Sequence, residues 1–162
     1  MFSDPLSVFR AVFAALTPGG YFEMQDPDFK PHSLDGTTTG TAVERWNTLV
    51  LSGAQNLGRD WRCARNYKSW FEEAGFEKVV ERVECWPGNG WPKDKRLKEM
   101  GRRMHANTLE GIDPVSLVAL TRGLGMSRED VRELVEEVRR EFGDRRVHGF
   151  WPVYVVYGRK PL

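Results

Sequence analysis

The sequence predicts an α/β fold of about three strands with covering helices, on three observations. An amphipathic run, a glycine turn and an extended segment follow one another at the start of the chain. A stretch rich in β-branched and aromatic residues occupies positions 76–86, and a strong apolar strand, 153–157, comes last after a long helical stretch. At 162 residues the chain suits one domain, 1–162, and a chain of that size buries roughly 70% of the surface its unfolded form exposes.

Each element has a local cause. Residues 5–16 repeat apolar positions at three and four, with Ser3 or Asp4 as N-cap and Pro5 suited to the first helical position. Thr17-Pro18-Gly19-Gly20 breaks that helix, and 21–25 runs extended toward Asp26 and the loop of Pro27 and Pro31. Asp35-Gly36-Thr37 is turn chemistry. A helix is expected over about 41–57, carrying Val43, Trp46, Leu49 and Val50, and a second over 67–74 ending at Gly75. Val79, Val80, Val83 and Cys85 make 76–86 a strand that Pro87 ends. Helical character runs over 93–109, Asp113-Pro114 is expected to open another short helix, and Ser127 with Asp130 resembles a capping box for a helix over 128–142.

Composition excludes several classes. Charged residues are 29% against 40% hydrophobic, so disorder is not expected. Lys plus Arg number 24 against 23 Asp plus Glu, which gives no global reason to bind nucleic acid or an anionic membrane. No stretch approaches the roughly 18 apolar residues of a membrane span. Cys63 and Cys85 are too few and too far apart for a disulfide framework or a paired-cysteine zinc site, which points to a reducing, cytoplasmic setting. No two of the three histidines have the i, i+4 spacing of a helical metal motif, so no metal is expected.

Six segments together carry a resemblance: 16–23 (LTPGGYFE), 35–37 (DGT), 58–60 (GRD), 74–76 (AGF), 91–94 (WPKD) and 157–161 (YGRKP). In this order they resemble the C-terminal half of class I S-adenosylmethionine-dependent methyltransferases of fungal secondary metabolism, the group similar to the velvet-complex regulator. The resemblance implies a truncated Rossmann-like fold in which 21–25, 77–86 and 153–157 are strands five, six and seven of a seven-stranded sheet. Residues 93–142 are then a helical, substrate-side insertion. The family's glycine-rich loop after strand one and its ribose-binding acidic residue have no counterpart here, so no cofactor is expected. Pro87-Gly88-Asn89-Gly90 lacks the third glycine and reads as a turn.

The candidate proton carriers are His32, Asp35 and His105. His32 and Asp35 lie in the loop beyond a strand's carboxyl end, where α/β sheets bind ligands, and His105 lies on the segment that the resemblance places over the substrate pocket. A histidine titrates near working pH, although an exposed loop position also explains His32, and a structural hydrogen bond explains His148. Gln25, Trp46, Tyr67, Trp91 and Met104 are the candidate substrate-binding set, suited to an apolar polycyclic or polyketide-like molecule. Helical spacing makes Trp46 equally a core residue.

The expected function is a repurposed, cofactor-independent natural-product enzyme, a cyclase, isomerase or dehydratase that shapes its substrate and moves protons. Two alternatives stand beside it: a regulatory partner of a complete methyltransferase, and a fragment of a longer methyl-transferring protein. An edge left bare at strand five invites pairing, so a homodimer through that edge is expected.

Overall fold

The chain enters its fold through a capped helix. In the computed structural model, which describes residues 4–162, α1 (Pro5–Ala15) opens with the Asp4 side chain accepting from the Ser7 amide at 3.3 Å and Pro5 in the first turn. Ser3, the alternative cap, lies outside the described residues. After the turn at Gly19 (φ 81°), β1 (Tyr21–Pro27) begins. Then follow α2 (Ala42–Asn56), a single 3₁₀ turn (Cys63–Asn66), α3 (Tyr67–Glu73), β2 (Glu77–Pro87), α4 (Lys95–Ser116), α5 (Arg128–Phe142) and β3 (Phe150–Arg159).

The three strands form one sheet in the order β1-β3-β2, with β3 antiparallel to both neighbours. The last strand therefore lies between the first two, and β1 is an edge. A register shift between Glu77 and Val80, with Lys78 at φ 52°, bends the start of β2. This antiparallel sheet with its covering helices agrees with the truncated Rossmann-like fold that the resemblance implies.

Two cores flank the strands. On one face of the sheet, α1 and α3 press Phe9, Tyr67 and Phe71 against Phe22, Phe76 and Val156. Gly158 permits this approach, since a Cβ there would lie 3.0 Å from the Phe76 Cβ and 3.1 Å from the Phe71 ring. The second core is built by helices: Val43, Trp46 and Val50 of α2, Ile112 of α4, and Val131, Val135 and Val138 of α5, with Trp151 as the buried contribution of β3. Gly53 makes the contact close, because a Cβ there would meet the Ala119 carbonyl oxygen at 2.1 Å.

The helix expected to start at Asp113-Pro114 does not. α4 runs unbroken through Pro114 and then widens into a π-helical segment, Leu117–Arg122. Tertiary contacts override the local cost of proline: Ser116 is fully buried, donates to the Ile112 carbonyl at 2.6 Å and accepts from Trp46 Nε1 at 2.8 Å. Asp113 is not a cap but the partner of Arg139 on α5, at 2.5 Å. At the start of α5, Ser127 does cap the Asp130 amide, yet Asp130 reaches back to the Ser127 hydroxyl rather than to its backbone.

Candidate functional site at the carboxyl end of the first strand

Where β1 leaves the sheet, one buried ion pair fixes the loop. Asp28 is 1% exposed and takes Nε and Nη2 of Arg62 on its two oxygens, each at 2.8 Å. This hydrogen bonding raises the Arg62 pKa above its ordinary value. The Asp28 amide donates to Pro152 at 2.8 Å, the Phe29 amide donates to Trp61 at 3.3 Å, and Asn47 Nδ2 donates to the Phe29 carbonyl at 2.5 Å. Phe29 is thus held on both sides, with its ring 5.1 Å from that of Trp61 and 6.0 Å from that of Trp46.

Two apolar compartments meet at this loop, since Pro27 and Phe29 line both. One, of about 290 Å³, is walled by Val8 and Phe9 of α1, Met24 and Asp26 of β1, and Trp61, Cys63 and Tyr67. The other, of about 180 Å³, is walled by Trp46, Met104, Asn107, Thr108, Ile112 and Val115. The pair is a groove divided at Phe29, with aromatic walls and few polar groups, the usual composition of a small-molecule site.

Those polar groups are specific. The Tyr67 hydroxyl donates to Asp26 Oδ2. Burial, reinforced by that acceptor, pushes the Tyr67 pKa far above its ordinary value, and burial pushes the Cys63 thiol up as well. Neither group is therefore an ionised nucleophile at neutral pH. Asn107 and Thr108 add neutral donors and acceptors at the far end.

The residues singled out from sequence divide between this groove and other settings. Tyr67 lines the first compartment, and Trp46 and Met104 line the second. Gln25 does not join them: strand alternation puts Met24 and Asp26 on the groove face and Gln25 on the other, where it is exposed and donates to Glu23 at 2.6 Å. Trp91 lies over the His148 ring at 4.9 Å and donates to the Gly149 carbonyl.

His32, Asp35 and His105 have separate partners. His32 pairs with Phe150 as an isolated bridge and stacks on its ring. Asp35 meets His148 Nδ1 at 2.5 Å and accepts from the Ser33 and Thr37 hydroxyls at 2.8 Å. These bonds, the one to His148 foremost, hold its carboxyl well below the usual carboxylate range. The ring of His105 stacks on Phe142. Among the described residues, no hydrogen bond, ion pair or ring contact joins His105 to His32 or Asp35.

Sequence reasoning missed Asp26, Phe29, Trp61 and Cys63. The alternation of β1 was the available signal for Asp26, because it shares a face with Met24. Phe29 and Trp61 carried none, since their meeting depends on the Asp28–Arg62 pair across the loop.

The Pro87-Gly88-Asn89-Gly90 turn does not fit a nucleotide cofactor. A Cβ at Gly88 would lie 2.3 Å from the Trp151 ring, and buried Asn89 spends its amide on the carbonyls of Phe142, Asp144 and Val147. It ties the loop after β2 to the end of α5. Among the described residues no group of three His, Cys, Asp or Glu side chains is arranged to hold a metal ion, and no helix is long and apolar enough to cross a membrane.

No protein-family model matches the chain. It is 34% identical to the probable methyltransferase tdiE of Emericella nidulans over 159 residues, which are 98% of this chain and 50% of that protein. It is 31% identical to methyltransferase pytC of Aspergillus terreus over 94% of this chain and 47% of that protein. The secondary metabolism regulator laeA of Monascus pilosus is 28% identical over 96% of this chain and 43% of its own length. The chain therefore spans half the length or less of these relatives. The chain is thus a homologue of methyltransferases of fungal secondary metabolism, matching about half the length of each, consistent with the C-terminal half of such a protein.

Proposed function

We propose that this chain is the acceptor-binding side of a methyltransferase, and that its groove holds an apolar, polycyclic small molecule for a reaction that needs a separate cofactor-binding segment. The observation that carries this reading is the aromatic groove at the carboxyl end of β1, walled by Phe29, Trp46, Trp61 and Tyr67. Ligands of open α/β sheets bind outside the carboxyl ends of the strands. The names of the relatives supply the reaction class.

This reading is favoured over the cofactor-independent cyclase, isomerase or dehydratase expected from sequence. Such chemistry needs proton carriers convergent on one cavity, whereas His32, Asp35 and His105 are engaged with Phe150, His148 and Phe142. The test is a titration of the chain with 1,8-dihydroxyanthraquinone, followed by tryptophan fluorescence, because Trp46 and Trp61 line the groove. Saturable quenching that is lost in Phe29→Asp supports the proposal. Absence of saturable quenching contradicts it, and micromolar S-adenosylmethionine binding by the chain alone would contradict the division of labour.

The bare edge supports a second, smaller proposal. β1 pairs with β3 on one side, leaving its outer backbone groups without a strand partner among the described residues. Such an edge is a template for pairing, and two copies meeting there would form a homodimer. Light scattering that returned a monomer at high micromolar concentration would exclude it.

A further inference from the structure

We propose that Asp26 is the specificity-determining residue of the groove, selecting apolar ligands that present an O–H or N–H donor over ligands of the same shape that lack one. The inference rests on the groove being a small-molecule site and adds what that site discriminates. Asp26 brings a carboxylate into a mostly apolar wall that includes Val8, Phe9, Met24 and Trp61. Its Oδ2 accepts from the Tyr67 hydroxyl, and its Oδ1 accepts no hydrogen bond among the described residues.

The surroundings leave that oxygen for a ligand. Arg62, on the loop that follows α2, is engaged by Asp28 through both Nε and Nη2. Arg65 turns its Nε to the Arg62 carbonyl at 3.0 Å. Tyr67 is half of the arrangement: its neutral phenol donates to Oδ2 and so fixes the carboxylate plane with Oδ1 free to accept. An acceptor beside apolar walls is costly when a ligand displaces water and offers no donor in return. A ligand that does offer one regains a charge-assisted bond. Sites built to hydrogen-bond a ligand reject the analogue that lacks the group far more strongly than apolar pockets reject an extra methylene.

The test compares two probes of nearly equal shape, 2-naphthol and its methyl ether 2-methoxynaphthalene, by calorimetric titration of the intact chain. The wild type is expected to bind 2-naphthol at least about ten-fold more tightly, the scale of one hydrogen bond to a charged group. Asp26→Leu is expected to bring the ratio close to one while keeping its affinity for the ether. Where Asp26→Leu does not fold, Asp26→Asn retains the shape and removes the charge, and the ratio should fall. Equal binding of the two probes by the wild type, or a preference unchanged in Asp26→Leu or Asp26→Asn, overturns the proposal and leaves the groove intact as a site. Failure of both probes to bind the wild type overturns the groove itself and Asp26's role with it.

Discussion

Between α1, α3 and the sheet the core is aromatic, with Phe9 meeting Phe22, Tyr67, Trp70 and Phe71 at centroid distances of 5.1 to 5.7 Å. Between α2, α4 and α5 it is mostly aliphatic, with Val50, Ile112, Leu120 and Val138 all at 1% exposure or less. The aromatic core is anchored on strands through Phe22 and Val156, whereas the helical core meets the sheet at Trp151. Ring pairs prefer particular approach angles, and aliphatic side chains interdigitate more freely. The groove opens at the seam, where Phe29 and its tryptophan neighbours bridge two modes of packing.

The largest expected effect tests whether the aromatic core dominates stability. Phe71→Ala should cost about 3–5 kcal/mol in urea unfolding, and Leu120→Ala in the helical core should cost less within its own range of about 2–5 kcal/mol. A larger loss for Leu120→Ala would mean that the helical core carries more of the stability. Asp28→Asn should cost about 3 kcal/mol, the low end for removing one partner of a buried pair, because the Arg62 side chain keeps 27% exposure. It should also abolish quenching by the anthraquinone probe while a cooperative transition remains.

Smaller effects sharpen the contrast. Gly53→Ala should cost about 1–3 kcal/mol through overpacking against the Ala119 carbonyl, and it should leave near-ultraviolet signals of the aromatic core unchanged. Asp144, hydrogen-bonded by the Arg146 side chain foremost, is held down at about 2. A depressed carboxylate contributes stability above its unfolded value of about 3.9, and that contribution is lost as pH falls through about 2. Carboxyl NMR should place the Asp144 midpoint there, and Arg146→Ala should return it toward the ordinary range.

The elements were legible in the sequence wherever local chemistry decides them. Asp4 caps α1, Gly75 ends α3 at φ 99°, and apolar runs give all three strands. The continuity of α4 through Pro114 was not legible, because it depends on Trp46 reaching Ser116 across 70 residues of sequence. The site divides in the same way. Trp46, Met104 and Tyr67 were readable as aromatic or soft apolar residues on helices. Asp28–Arg62, which sets Phe29 between two tryptophans, joins residues 34 apart and leaves no local trace. Gln25 shows the parity hazard of a strand: a shift of one residue moves a side chain to the opposite face.

The groove at the seam between the two cores is proposed to hold a small aromatic ligand. A crystal structure of the chain grown with 1,8-dihydroxyanthraquinone tests it most directly. Ring density is expected between Phe29, Trp61 and Tyr67, with a ligand hydroxyl within hydrogen-bond distance of Asp26 Oδ1. Density confined to other surfaces, or a groove closed by its own side chains with no ligand in it, would rule out the groove as a ligand site.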